Sequence, residues 1–271
     1  MSRRSGSQRG FESLLAYLES ELDFESDFYN DAYMDRRITA RMRRTDSDNY
    51  RSYERLLDGD PDEQEALLDS LSINVTGFFR NPDAWDALRP ILRDLTAENR
   101  SVSAWSAPCA DGREPYSLAM LALDDPEIRA DRLDILATDI NPDILETARR
   151  GVYEASQTAD IEEELQPLAD SDRYIDRDGD TFTVRDRVTE MVSFEQHDLI
   201  GGDPKRGFDL LLCRNFLIYI DAAYKDPIFE TIRDSLRSGG TLMIGMTETL
   251  PAGARGAFES VDKSHRIYER V

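Results

Sequence analysis

The sequence predicts an α/β protein: a doubly wound sheet behind a small N-terminal helical domain, with a small β insertion. Three observations predict it. From Val102 onward, short apolar runs alternate with helical stretches, the pattern of strands joined by helical crossovers. The run Phe208 to Cys213 is almost continuously apolar, as a strand buried on both faces must be. The stretch from Phe11 to about Leu71 has helix-period apolar residues, no Pro before Pro61 and no β-rich run.

The elements follow in order. Residues 1–10 hold Arg3, Arg4 and Arg9 among Ser and Gly and are expected to be a disordered tail. Residues 11–72 form the helical domain, with one apolar stripe at Leu14, Leu15 and Leu18 and another at Met34, Ile38 and Met42. Residues 73–271 form the sheet domain. Val102–Ser106 is its first strand, Glu114–Leu123 a helix and Leu133–Thr138 the second strand. Asn141-Pro142-Asp143 starts a helix: Asn caps, Pro suits the first turn, and Asp complements the dipole. The alternation lapses over about 154–193, which is taken as the insertion, with short strands at Phe182–Val184 and Met191–Phe194. Phe208–Cys213 and Gly240–Met246 complete the sheet.

Composition narrows the function. The 271 residues carry 55 Asp plus Glu against 33 Lys plus Arg, a net charge of −22. Such a chain repels phosphate backbones, so a general nucleic-acid partner is not expected. No apolar run approaches the ~18 residues of a membrane span. Lys205, Lys225 and Lys263 are the only lysines. An acid excess with so little lysine suits a cytoplasm of very high salt, where screening removes self-repulsion. Arg3-Arg4 is followed by no apolar segment, so a cytoplasmic location is expected, with Cys109 and Cys213 reduced.

The chemistry-bearing residues sit where strands end. No His/Cys cluster has metal-ligand spacing, so no metal is expected, and neither a nucleophile elbow nor a phosphate loop occurs. Cys213 reads as a core thiol and His197 as a surface or capping residue. The first strand runs into Ser106-Ala107-Pro108-Cys109-Ala110-Asp111-Gly112-Arg113-Glu114-Pro115-Tyr116-Ser117, with Gly112 its lone glycine, a weak basis for a pyrophosphate cradle. Asp139 ends the second strand. There it suits the two hydroxyls of a ribose or, alternatively, caps the next helix. Arg214 and Asn215 follow the third strand and should point into the crevice at the sheet's carboxyl edge.

Four segments in order, Ile73-Asn74-Val75-Thr76-Gly77-Phe78-Phe79-Arg80, Arg113–Ser117, Ala137-Thr138-Asp139-Ile140 and Cys213-Arg214-Asn215-Phe216-Leu217-Ile218-Tyr219, resemble the CheR-type chemotaxis receptor methyltransferases. The resemblance runs from about Phe11 to the C-terminus. It implies a Rossmann-like sheet that uses S-adenosylmethionine to methylate receptor glutamates. It also implies roles. Asn74, Thr76 and Arg80 match the segment entering the cofactor pocket, and Glu114 a residue near the cofactor's methionine end. Asp139 matches the ribose acid, while Asn215 and Phe216 match further cofactor contacts. Asp198-Leu199 stands where the family has Asn-Leu beside the adenine; Asp keeps an acceptor but loses the amide donor. Arg80, Arg214 and Tyr219 match residues that face the substrate glutamate.

This chain departs from the family at Pro108, Ala110, Asp111 and Arg113, where Gly-x-Ser-Thr-Gly-Glu-Glu or a close variant is usual, and these changes alter charge beside the sulfonium. Gly245-Met246-Thr247-Glu248 replaces a Gly-His-Ser-Glu type run. One further feature concerns the partner. Residues 36–44 hold five arginines and no acid, with Arg37, Arg41 and Arg44 on one helical face. Arg36, Arg37, Arg41 and Arg44 are either a solvated face paired with the domain's own acids or a dock for acidic, glutamate-bearing receptor helices. The alternative to the enzyme is a non-catalytic or differently targeted S-adenosylmethionine-binding protein that holds an acidic partner.

Overall fold

The computed structural model describes residues 2–22, 24–71, 76–155 and 160–271, which divide into two compact units. The helical unit comprises Met1–Ile73 together with Tyr219–Tyr224. Its helices are α1 (Ser2–Glu21), α2 (Asp31–Arg44), α3 (Tyr50–Leu57) and α4 (Pro61–Leu71). Local chemistry sets their starts. Asn30 caps α2 by accepting from the Tyr33 N–H at 2.9 Å. Asn49 and Ser52 form a reciprocal capping box at α3, and α4 begins on Pro61. Both expected stripes face inward: Leu14, Leu18, Met34, Ile38 and Met42 are buried with Tyr53, Leu57, Leu67 and Leu71.

The expected tail over 1–10 is instead helical from Ser2. Phe11, Leu14 and Leu18 anchor α1, and Gly10 lies so near α3 that a Cβ there would sit 3.3 Å from the Tyr50 Cβ. Once a helix is nucleated by such anchors, each residue added before them costs little.

The second unit comprises Asn74–Ile218 and Lys225–Val271. It opens with α5 (Pro82–Glu98), then β1 (Val102–Ser106), α6 (Arg113–Asp124), β2 (Leu133–Asp139) and α7 (Pro142–Arg150). Asn141 caps α7, accepting from Asp143 and Ile144, as the Asn-Pro-Asp start predicts. Next come β3 (Val152–Glu154), α8 (Ile161–Glu164), β4 (Ile175–Asp178), β5 (Thr181–Val184), α9 (Asp186–Thr189) and β6 (Val192–Gln196). The chain ends with β7 (Phe208–Cys213), α10 (Ala222–Ser235), β8 (Leu236–Ile244), β9 (Phe258–Asp262) and β10 (Ile267–Arg270).

Seven strands form one sheet in the order β6-β2-β1-β7-β8-β10-β9. The first five run parallel and the β9–β10 hairpin is antiparallel. Thus Met191–Phe194, expected within the insertion, supplies instead the main-sheet edge strand β6, paired with β2. Its apolar residues cover one side of the core, which a detached strand could not do. The insertion proper is the antiparallel sheet β3-β5-β4. Among the described residues, no helix is long and apolar enough to cross a membrane.

Candidate cofactor and substrate site

The chain leaves β1 outward to β2 and β6, then returns on the other side of β1 as β7. That reversal opens a crevice beyond the carboxyl ends of β1 and β7, where ligands of open α/β sheets bind. Backbone bonds stitch the loop 107–112 across it. Ala107 N–H donates to the Leu212 carbonyl at 2.9 Å and Cys109 N–H to the Thr138 carbonyl at 2.8 Å. Pro108, which brings no N–H, therefore leaves no orphan. Gly112 has φ +88°, and a Cβ there would lie 2.9 Å from the Ala148 Cβ. Its lack of a side chain lets α6 start against α7; it does not build a phosphate cradle.

Glu114, in the first turn of α6, accepts from the Ser106 hydroxyl at 2.9 Å and from Arg214 Nη1 at 3.3 Å. Burial pushes its carboxyl above the ordinary 4.5, and Arg214 and Ser106 pull the other way. The Arg214 side chain, expected to point into the crevice, is buried. It is 1% exposed and stacks on the Trp85 ring at 5.2 Å. Nη2 donates to the Arg80 carbonyl at 2.7 Å and to Asn81 at 3.4 Å. Burial, with the Arg80 charge nearby, depresses its pKa, although Glu114 opposes both effects. A buried guanidinium needs a carboxylate, and Glu114 is there; this is why the side chain turns inward. Its Nε has no hydrogen-bond partner among the described residues.

Asp139 ends β2 and is buried. Oδ2 accepts from Ala110 N–H at 2.9 Å and Oδ1 from Asn141 N–H at 3.0 Å. It is not the cap of α7; Asn141 is. Burial raises its pKa while backbone donors lower it. The Asp111 and Arg113 substitutions pair with each other: Arg113 Nε donates at 3.0 Å and Nη2 at 2.9 Å to Asp111 Oδ2. Their charges therefore largely cancel locally.

The other expected residues lie as follows. Asp198 folds onto its own turn, accepting from Ile200 N–H at 2.8 Å, and Leu199 is buried. Asn215 adopts φ +60° and Phe216 is buried. Thr76 is half-buried, and Asn74 lies outside the described residues. Tyr219 belongs to the helical unit, its ring 4.8 Å from that of Tyr33. Within that unit Arg41 turns inward to Glu63, Nε to Oε1 at 3.0 Å, with Tyr53 on the same carboxylate at 2.5 Å. Arg41 is therefore corrected from docking residue to internal ion pair. Arg37 lies half-buried on Tyr33, while Arg36 and Arg44 are exposed.

Sequence reasoning missed two acids. Glu248 accepts backbone N–H bonds from Gly245 at 2.6 Å, Asn215 at 3.0 Å and Ile218 at 3.3 Å. Glu164 accepts from Phe78 N–H at 2.8 Å. The usable signals were Gly245 and Gly77, where a Cβ would lie 2.7 Å from Asn215 N and 2.9 Å from Glu164 Oε1 respectively. His197, expected at the surface or as a cap, is half-buried: its ring meets Trp105 at 5.6 Å and its Nε2 is buried.

S-adenosylmethionine brings a sulfonium, an ammonium and two ribose hydroxyls. The buried carboxylates of Glu114 and Asp139 suit such donors and cations, and Asp139 keeps acceptor capacity beyond its backbone bonds. The residues present fit the cofactor.

Comparison with known proteins agrees. Residues 74–267 match the CheR methyltransferase SAM-binding domain and residues 9–72 its all-alpha domain. A chemotaxis protein methyltransferase of Listeria monocytogenes is 37% identical over 188 residues, 69% of each chain. A probable chemotaxis protein methyltransferase of Rhizobium etli is 33% identical over 201 residues, 72% of this chain and 75% of that one. The alternating strands, the acids at their tips and these matches converge: the chain belongs to the CheR methyltransferase family, and S-adenosylmethionine is its cofactor.

Proposed function

We propose that the protein transfers the methyl group of S-adenosylmethionine to glutamate side chains of methyl-accepting chemotaxis receptors, as methyl esters, in the cytoplasm. The observation that carries this is the buried Arg214–Glu114 pair at the sheet's switch point, from which Arg214 donates to the Arg80 carbonyl and so fixes the segment that bears Arg80. Bound there, the cofactor supplies an electrophilic methyl.

A glutamate is ionised at neutral pH and needs no base, since its reference pKa is ~4.3. The protein must align oxygen with methyl and strip water from the carboxylate without protonating it. Alignment is worth up to ~7–11 kcal/mol in well-oriented systems. Arg80 holds one carboxylate oxygen while the other attacks. Arg214, held by Glu114, acts through the Arg80 carbonyl and is a positioning residue. Asp139 takes the ribose, Glu114 the methionine end, and Asn74, Thr76, Asp198, Leu199, Asn215 and Phe216 complete the cofactor contacts. The exposed Arg36 and Arg44, with Arg37, are the receptor dock.

The test is radiolabelled methyl transfer to receptor-containing membranes, followed by mild alkali. An ester releases volatile methanol; label that survives alkali overturns the carboxylate mechanism. Arg36→Glu with Arg44→Glu should slow receptor methylation and leave cofactor affinity intact, and equal loss of both removes the docking role.

A further inference from the structure

Two of the departures from the family loop, Asp111 and Arg113, meet in one cluster. Arg113 grips Asp111 with two nitrogens and reaches Glu164 Oε2 from Nη1 at 3.5 Å. Glu164 in turn accepts from the Phe78 N–H. Tyr153 closes the cluster from β3: its hydroxyl donates to the Asp111 carbonyl at 2.7 Å and its ring lies 5.7 Å from the Arg113 guanidinium. Three separate stretches thus meet: the cofactor loop 107–112, the segment 76–80 and the short helix α8.

Glu164 is well placed to act as an anchor. Ile161, Leu165 and Leu168 on either side of it are buried in the main core, so its carboxylate is delivered from a fixed point. Gly77 leaves room for it. The exposures of Arg113 and Glu164 are 13% and 24%, so their contact is partly shielded from salt.

We propose that Arg113 and Glu164 are positioning residues for the cofactor: together they clamp segment 76–80 to the cofactor loop, so that α8 of the insertion helps shape the S-adenosylmethionine site. The clamp rests on the cofactor placement given above. Arg113 takes up the charge of Asp111, and the pair then uses its remaining N–H donors to hold Glu164 and, through it, the Phe78 backbone. Neither side chain touches the reacting atoms.

The test is calorimetry with S-adenosylmethionine and steady-state kinetics in molar salt. Glu164→Gln keeps an acceptor for Phe78 but loses the charge that holds Arg113. It should raise the cofactor Kd and KM about tenfold while leaving kcat at saturating cofactor within about twofold, the pattern of lost ground-state binding. Arg113→Gln should do the same, and the double variant should be no weaker than either single one. If either variant folds poorly, Arg113→Lys gives a milder reading: it keeps the charge, loses the forked contact, and should raise Kd in the same sense. Unchanged Kd in all variants, or strictly additive losses, overturns the clamp. So does a fall in kcat with Kd intact. A wild-type protein that binds no S-adenosylmethionine overturns the cofactor placement and the clamp with it, whereas wild-type binding with indifferent variants overturns the clamp alone.

Discussion

The two ends of α6 carry acids in opposite circumstances. Asp125, just past its last turn, receives Arg93 Nε at 3.0 Å and Nη2 at 2.8 Å, with Arg89 at 3.5 Å and the Glu127 N–H at 2.9 Å. These partners outweigh its burial and hold its carboxyl below the ordinary 3.8. Glu114, in the first turn, has the favourable helix dipole yet is pushed up, because Arg214 and Ser106 do not compensate for burial. One end is built for stability. The other holds a carboxylate in a costly place, as functional sites do.

The largest effect should come from Glu114→Ala, which leaves the buried Arg214 guanidinium without its carboxylate. Chemical unfolding should show a loss of about 3–5 kcal/mol, and a loss under about 1 kcal/mol would mean that Arg214 finds another partner. Asp125→Ala should cost about 2–3 kcal/mol of stability, less because water reaches Arg93, and should leave cofactor affinity untouched. Reduced affinity in that variant would erase the division of labour between the two ends. Asp139→Ala should differ: cofactor affinity weaker by about 2 kcal/mol in calorimetry, on top of the stability lost with its two backbone bonds. Unchanged affinity would leave Asp139 only its backbone bonds to the cofactor loop.

The smallest effect is in pH dependence. Glu114, Asp139, Glu164 and Glu248 are all raised. Each therefore contributes stability that is full below its ordinary value of 4.5 or 3.8 and is lost as pH rises through its folded value. Asp125 is lowered, so its contribution is present above 3.8 and is lost as pH falls through its folded value. Denaturant midpoints measured downward from neutral pH should rise first and fall later. In Glu114→Gln the early rise should shrink, and in Asp125→Asn the late fall should. A profile indifferent to both would contradict the contrast.

Where one strand or one helix start holds all its information locally, the sequence shows it. β1 and β7 are legible from their apolar runs, and the start of α7 from Asn141-Pro142. Pairing is not local. Met191–Phe194 has the alternation of any short strand, and nothing in it says that its neighbour is β2 and not the insertion. Likewise Arg41 looks like the other arginines of α2 until Glu63 comes beside it through the fold. At the site, Glu114 and Asp139 stand out because strand tips and helix starts mark them. Glu164 and Glu248 do not, since each works by collecting backbone donors from segments far away in sequence. The turn of Arg214 onto Glu114 needed the burial of both, which no spacing reveals.

The stretch Tyr219–Tyr224 has a consequence for biosynthesis. Ile220 bridges Tyr29, Asn30 N–H donates to the Tyr219 carbonyl at 2.9 Å, and Asp221 N–H donates to the Phe28 carbonyl at 2.9 Å. The helical unit is thus completed by residues translated long after its own helices. While the ribosome makes the sheet strands, Tyr29 and Tyr33 wait without the ring of Tyr219, and the last loop closure of the N-terminal unit comes late. A nascent chain halted before residue 219 carries α1 to α4 of the helical unit with an open aromatic seam. Quality-control proteases should cut it there in preference to the full-length chain.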